Sequence, residues 1–296
     1  MYKVSVCIPT YQSQENLFRN SLDALQKQIG IEDYEIIISD DSIDDHVKNI
    51  LTDYDFKGKL VYIKNEIPLG SQRNWNSLLE HSKGEYVKFI FHDDWLSKET
   101  SLAEFCQLLD DNPEADLAFT PSLDHYSNGE LLLHSPDQEF MTRLESNPME
   151  LFLANGFGCP SAVIIRRKSI VPFATNLKWL IDVEWYVRIL KQNPNVVHSE
   201  TSLINIGIND QQITNECVDN EEVQLKEHFY IYNKYLQNHA FKKEYLIFLV
   251  QLIKRFRIDS FKTLKKHSGF SFFTEYKITR QIISNKLRTL KKKKPQ

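Results

Sequence analysis

The sequence predicts an α/β fold: a mostly parallel sheet with helices on both faces, followed by a helical extension. Two observations carry this. Short apolar runs alternate with amphipathic stretches through the first 120 residues, and strictly alternating β and α patterns imply parallel strands joined by crossover helices. From about Val218 to the end, only helical periodicity remains.

Each element has its own signal. Val4, Val6 and Ile8 alternate with Ser5 and Cys7 until Pro9-Thr10 ends the strand. Leu17, Leu22 and Leu25 follow at helical spacing, and Glu35–Ser39 is an apolar run of the fully buried kind, stopped by Asp40-Asp41. A helix is expected over Asp44–Tyr54, a strand over Leu60–Ile63 and a second amphipathic helix over Ser71–His81. Tyr86–Phe91 forms the next strand, halted by His92-Asp93-Asp94, and Ser97 is expected to cap a helix running to Leu109. A strand over Asp116–Phe119, a hairpin turn at Ser127-Asn-Gly-Glu130, a strand over Ser161–Ile165, a helix over Asp182–Leu190 and a strand over Leu203–Ile208 complete the series. The domains expected are 1–217 and 218–296.

Composition excludes several classes. Of the 296 residues, 42% are hydrophobic and 12% aromatic, which suits a packed core and not a disordered chain. No apolar run approaches the ~20 residues that span a bilayer, and residues 1–10 lack the cationic start and long apolar stretch of a signal peptide. Four widely spaced cysteines without a CxxC pair suggest neither a disulfide framework nor a zinc site. A cytoplasmic location is expected. The charge is strongly divided: residues 1–225 hold 18 basic and 36 acidic side chains, residues 226–296 hold 18 basic and 4 acidic. An acidic body with a basic end is expected to seek an anionic surface. Ile278, Ile282, Leu287 and Leu290 recur at helical spacing among Lys277, Arg280, Lys286 and Arg288, with Lys291–Lys294 behind them. That pattern predicts peripheral attachment of residues 271–296 to the inner face of the cell membrane. No nucleic-acid motif accompanies the charge, and no nucleic-acid partner is expected.

Ligands of open parallel sheets bind beyond the carboxyl ends of the strands. Three strands end there in polar punctuation: Pro9-Thr10-Tyr11, Asp40-Asp41 and His92-Asp93-Asp94. Two acidic pairs on one rim repel unless a cation or hydrogen-bond donors neutralise them. Hard oxygen ligands in a small cluster suit Mg²⁺ or Mn²⁺, which share their coordination with substrate phosphates. The plainer reading is that both pairs cap the helices that follow.

The blocks Val4–Tyr11, Glu35–Ser42 and Gly84–Trp95, in this order and spacing, resemble a family 2 glycosyltransferase of the GT-A fold, with a match over about residues 1–215. The resemblance implies that Pro9, Thr10 and Tyr11 border the nucleotide, and that Asp41 holds the base. It implies that Asp94 ligates a divalent metal, Mn²⁺ or Mg²⁺, with Asp93 near the ribose or in the metal's surroundings. His92 departs from the small residue usual there. Arg73 or Asn76, in Gly70–Asn76, would touch the base or diphosphate. The family's catalytic base opens a helix six residues before an arginine, which is the spacing of Asp182 and Arg188; Glu184 is the competing candidate. Gly156–Ala162 resembles the acceptor-side wall, and Asn209 stands where the family often has a histidine that completes the metal site. The implied donor is a nucleotide-sugar, a UDP-sugar first. The implied acceptor is a saccharide or polyprenyl-diphosphate-linked saccharide. A nucleotidyltransferase would need a Gly-rich, basic phosphate loop after the first strand, which Pro9–Ser13 does not offer. A non-catalytic module that kept the fold is the third reading.

Overall fold

The computed structural model describes residues 1–210, 212–268 and 278–284. They form two compact units, one of residues 1–176 and 181–210, the other of 177–180 and the chain from 211 onward.

The first unit is built on a seven-stranded sheet. Its strands are β1 (Val4–Thr10), β2 (Tyr34–Asp40), β3 (Lys59–Lys64), β4 (Tyr86–Phe89), β6 (Leu117–Phe119), β9 (Val163–Arg166) and β10 (Val196–His198), in the order β10-β6-β9-β4-β1-β2-β3. β1 pairs in parallel with both β2 and β4, and β9 runs antiparallel to both β4 and β6. Every residue of β1 and β2 is buried, because helices cover both faces of a parallel sheet. Val4, Val6, Ile8, Ile36 and Ile38 are wholly inaccessible, each worth roughly 1.5–3 kcal/mol of transfer free energy. The helices of this unit are α1 (Glu15–Gln26), α2 (His46–Leu51), α3 (Ser71–His81), α4 (Ser101–Asp110), α5 (Gln138–Ser146) and α6 (Ile181–Gln192). Gly84 has no room for a side chain, since a Cβ there would lie 2.4 Å from the Ser5 amide.

A second sheet, of β5 (Asp94–Leu96), β7 (Ser122–Tyr126), β8 (Leu131–His134) and β11 (Ile204–Ile208), has the order β5-β11-β7-β8. β11 pairs antiparallel with β5, setting Ile206 opposite Asp94, and parallel with β7. The hairpin expected near residue 128 joins β7 to β8, with Gly129 at φ +84° in the turn.

Three local expectations are corrected. The strand expected to reach Phe91 stops at Phe89, and the chain re-enters extended structure at Asp94. The helix expected over Asp44–Tyr54 contracts to α2. Ser97 does not cap α4: its hydroxyl serves the Ser202 carbonyl and the Ser101 hydroxyl, and the helix starts at Ser101.

The second unit holds α7 (Ile213–Cys217), α8 (Glu221–Ile231), α9 (Lys242–Arg255) and α10 (Phe261–Ser268), with a π-helical turn at Tyr232–Leu236. Within it the buried Glu227 accepts the amides of Lys178, Trp179 and Leu180 at 2.7–2.9 Å. His228 shares a 2.7 Å hydrogen bond with the Tyr245 hydroxyl, and burial pushes its imidazole down to about 3. Residues 278–284 are helical. Ile278 and Ile282, expected on a membrane-facing stripe, are instead buried in the protein, at 3% and 1% exposure. Leu287, Leu290 and the terminal lysines lie outside the described residues, and no helix among the described residues is long and apolar enough to cross a membrane.

Candidate active site at the carboxyl edge of the sheet

The ends of β1, β2 and β4 converge on one edge of the large sheet. Thr10 pairs with Asp40 in the β1–β2 ladder, and the Ile90 amide donates to the Cys7 carbonyl past the end of β4. Pro9 and Thr10 are buried while Tyr11 is half-exposed. Gln12, at φ +43°, turns the chain back so that its amide donates to the Ser42 hydroxyl at 2.9 Å.

Asp40 and Asp41 face different surroundings. Asp40, with no exposure, accepts from Lys64 Nζ at 2.9 Å, Tyr62 OH at 2.7 Å, the Ser42 amide at 2.9 Å and Thr10 Oγ1 at 3.2 Å. Burial alone would raise its carboxyl; the Lys64 ammonium and the other donors hold it below the usual range. Asp41 accepts from the amides of Leu69 and Gly70 at 2.7 and 2.8 Å and from Asn65 Nδ2 at 3.1 Å. It therefore anchors the loop that opens α3, where Gly70 takes φ +81°. Asn74, buried on the inner face of α3, donates to the Ser39 carbonyl at 3.1 Å and accepts from Asn65 at 3.2 Å. On the same helix Arg73 is exposed. Asn76 exchanges two hydrogen bonds with the backbone of Phe173, donating at 3.1 Å and accepting at 2.7 Å. Its amide is thereby engaged in holding the 171–174 segment against α3, beside the stacked rings of Phe173 and Trp185.

The second acidic pair sits where β5 meets β11. The Asp94 amide donates to the Phe91 carbonyl at 3.0 Å, closing a turn that brings both carboxylates to the sheet edge with His92 half-buried beside them. Asp93 Oδ2 accepts from Asn209 Nδ2 at 2.9 Å, across 116 residues of chain. Gly207 makes this approach possible: its amide donates to the Asp93 carbonyl at 3.1 Å, and a Cβ there would fall 2.3 Å from that oxygen. Asp94 is 1% exposed. Its Oδ2 accepts from the Cys159 thiol at 3.6 Å, and its Oδ1, fully buried, has no hydrogen-bond partner. Burial, then the neighbouring Asp93 charge, pushes the Asp94 carboxyl well above the ordinary carboxylate range.

A buried carboxylate oxygen without a donor is costly unless something cationic meets it. This corner therefore fits a divalent cation through Asp94 Oδ1, with Asp93 beside it. Among the described residues no three His, Cys, Asp or Glu side chains form a metal cage. The remaining positions would fall to phosphate oxygens and water, as is usual for Mg²⁺ and Mn²⁺.

Asp182 lies in the first turn of α6. Its Oδ1 accepts the Val183 amide at 2.8 Å and its Oδ2 accepts Asn155 Nδ2 at 3.0 Å; the same Asn155 amide reaches the Gly158 carbonyl at 3.0 Å. The 156–162 segment and Asp182 are thus tied by one side chain. Glu184 is fully buried and pairs with Arg188 at 2.9 Å, so the arginine six residues beyond Asp182 serves Glu184.

Sequence reasoning overlooked Asn65, Asn74 and Asn155. Asn74 had a readable signal, a polar residue four positions before Leu78 on the buried face of α3. Asn155, in an irregular loop, had none.

This fold, with its acidic corners at the sheet edge, is that of the GT-A glycosyltransferases. The model of the family described as Glycosyl transferase family 2 matches residues 5–171, and the chain belongs to that family. It is 27% identical over 208 residues to an uncharacterised protein of Mycobacterium tuberculosis, covering 63% of this chain and 61% of that one. It is 37% identical over 103 residues to a poly(ribitol-phosphate) beta-glucosyltransferase of Bacillus spizizenii, covering 34% of this chain and 16% of that one. The chain spans about half to three-fifths of the length of the first curated relatives it matches. Among solved structures, TarS of S. aureus in complex with UDP-GlcNAc superposes with a TM-score of 0.63 at 19% identity, covering 96% of this chain and 79% of that one. A mannosyltransferase of Pyrobaculum calidifontis in complex with GDP-Man and Mn²⁺ superposes at 0.59 and 14% identity, covering 99% and 93%.

Proposed function

We propose that this protein is an inverting glycosyltransferase that moves a sugar from a nucleotide-diphosphate sugar, a UDP-sugar first, to a hydroxyl of a saccharide or lipid-linked saccharide in cell-surface polysaccharide synthesis. The observation that carries the reading is Asp94, a buried carboxylate at the sheet edge with one oxygen unbonded. Family membership supports it, as do the nucleotide-sugars named with the structural neighbours and the poly(ribitol-phosphate) named with the Bacillus relative.

The acceptor hydroxyl oxygen bonds to the anomeric carbon while the bond from that carbon to the diphosphate breaks. Asp182 takes the hydroxyl proton, and the nucleoside diphosphate leaves with the electron pair. Asn155 orients the Asp182 carboxylate through Oδ2, so its acceptance of a proton is geometrically directed. Asp41 keeps the Leu69–Gly70 loop in place for the base, Pro9, Thr10 and Tyr11 border the nucleotide, and Arg73, exposed on α3, is available to phosphate oxygens. Asp94 and Asp93 would hold Mn²⁺ or Mg²⁺, which when bound offsets charge on the departing diphosphate. The basic residues near the chain end favour an anionic membrane surface by charge, which would bring the protein to a lipid-linked acceptor.

The test is direct. UDP with Mn²⁺ is expected to raise the melting temperature more than either alone, and a panel of nucleotide-sugars is expected to yield one donor whose sugar is released or transferred. No stabilisation by UDP with Mn²⁺, and no turnover across the panel, would sink the proposal.

A further inference from the structure

Of the four cysteines, Cys7, Cys106 and Cys217 are buried, and Cys159 alone is partly accessible. The Cys159 thiol lies 3.6 Å from Asp94 Oδ2, a normal S–H···O separation. The segment carrying it is braced against the turn carrying Asp94. Ser161 Oγ accepts the Phe91 amide at 2.9 Å, and the Ser161 carbonyl accepts from the buried ammonium of Lys88. The Asp94 amide in turn donates to the Phe91 carbonyl. Pro160, between the two contact residues, fixes its own φ. The segments that carry thiol and carboxylate are therefore braced against each other. Oδ1 of Asp94 is buried with no partner at normal hydrogen-bond geometry, and the Ser161 hydroxyl and the Gly207 amide act on the same carboxylate alongside the thiol.

We infer that Cys159 is a positioning residue for Asp94: its S–H holds Oδ2 and leaves Oδ1 as the single oxygen turned toward a divalent cation. This rests on the reading of Asp94 as a metal ligand and specifies how that ligand is presented. A carboxylate free to rotate offers either oxygen, or both, at the cost of ordering on binding. A donor on one oxygen removes that freedom beforehand. Partners of this kind typically contribute 10–100-fold to metal affinity.

The experiment measures Mn²⁺ binding to the full chain by electron paramagnetic resonance in the presence of UDP, alongside turnover. Cys159→Ala is expected to weaken Mn²⁺ binding by roughly 10–100-fold, with melting temperature and metal-free UDP binding unchanged. The Mn²⁺ concentration for half-maximal rate should rise with it. Cys159→Ser keeps a donor and is expected to restore most of the affinity. Wild-type Mn²⁺ affinity in Cys159→Ala, with binding lost in Asp94→Asn, would overturn the positioning role and leave the metal reading standing. Equal weakening in both Cys159 variants together with a lowered melting temperature would also overturn it, as a packing effect. Failure of the wild type itself to bind Mn²⁺ would overturn the metal reading and the inference with it.

Discussion

Asp40 and Asp41 are chemically identical neighbours with unlike surroundings. Asp40 lies beneath the edge, bonded to Lys64 and Tyr62; Asp41 reaches into the loop that opens α3. Asp40→Ala leaves an ammonium, a phenol and an amide without their acceptor, so urea unfolding is expected to show a loss of about 1–3 kcal/mol. Loss of donor binding should follow only from that instability. Asp182 makes the contrasting case. Asp182→Asn keeps the side chain's shape, so UDP affinity should stay within a few-fold while turnover falls by roughly 10²–10⁴. A collapse of UDP affinity in that variant would instead place Asp182 on the donor side. At this scale the sequence marks which residue types gather at strand ends, because polar punctuation after an apolar run is a local signal. It does not reveal the amide partners, since Asn65, Asn155 and Asn209 reach their carboxylates only through the fold. The Asp182–Arg188 spacing misleads about charge pairing, because on a helix the four-residue interval to Glu184 wins.

The decisive element is β11. It pairs with β5 and β7 and lays Gly207 against the Asp93 carbonyl, which carries Asn209 into reach of the Asp93 carboxylate. Gly207→Ala forces a methyl group within 2.3 Å of that carbonyl. The expected result is a lower melting temperature and weaker UDP binding in the presence of Mn²⁺, measured by thermal shift and calorimetry. Unchanged values in both would show that the strand can withdraw without consequence. The Leu203–Ile208 strand was legible from its apolar run. Its partner β5 was not: three residues are too few to display a period, and Asp94 begins the strand only because β11 offers it a ladder.

At the scale of the molecule, the alternation of apolar strands and amphipathic helices disclosed the large sheet. The antiparallel insertion of β9 between β4 and β6 and the second sheet were not legible, since both are set by long-range pairing. The helices beyond Val218 were legible from periodicity, but not that Ile278 and Ile282 would be buried. Its His228 predicts a pH response. The imidazole is held neutral by burial, with its value pushed down to about 3 from 6.5, so between those limits the unfolded chain binds the extra proton. Stability contributed by the neutral form is complete above pH 6.5 and is lost as pH falls toward 3, with a slope of up to ~1.4 kcal/mol per unit. His228→Gln should flatten the melting-temperature profile between pH 6.5 and 4; an unaltered profile would contradict the assignment.

The bond from Asn209 to Asp93 also has a meaning in time. A ribosome adds about 5–20 residues per second, so Asp93 emerges roughly 6–23 s before the amide that will hold it. Through that interval β1 to β4 already have their sequence, and Asp94 is present, but β11 is not. The nascent chain owns a sheet with an unfinished acidic corner. By the time Asn209 closes it, residues 156–162 and the proposed base Asp182 have been made. In the order of synthesis, the bond that closes this corner is therefore among the last that the sheet edge acquires.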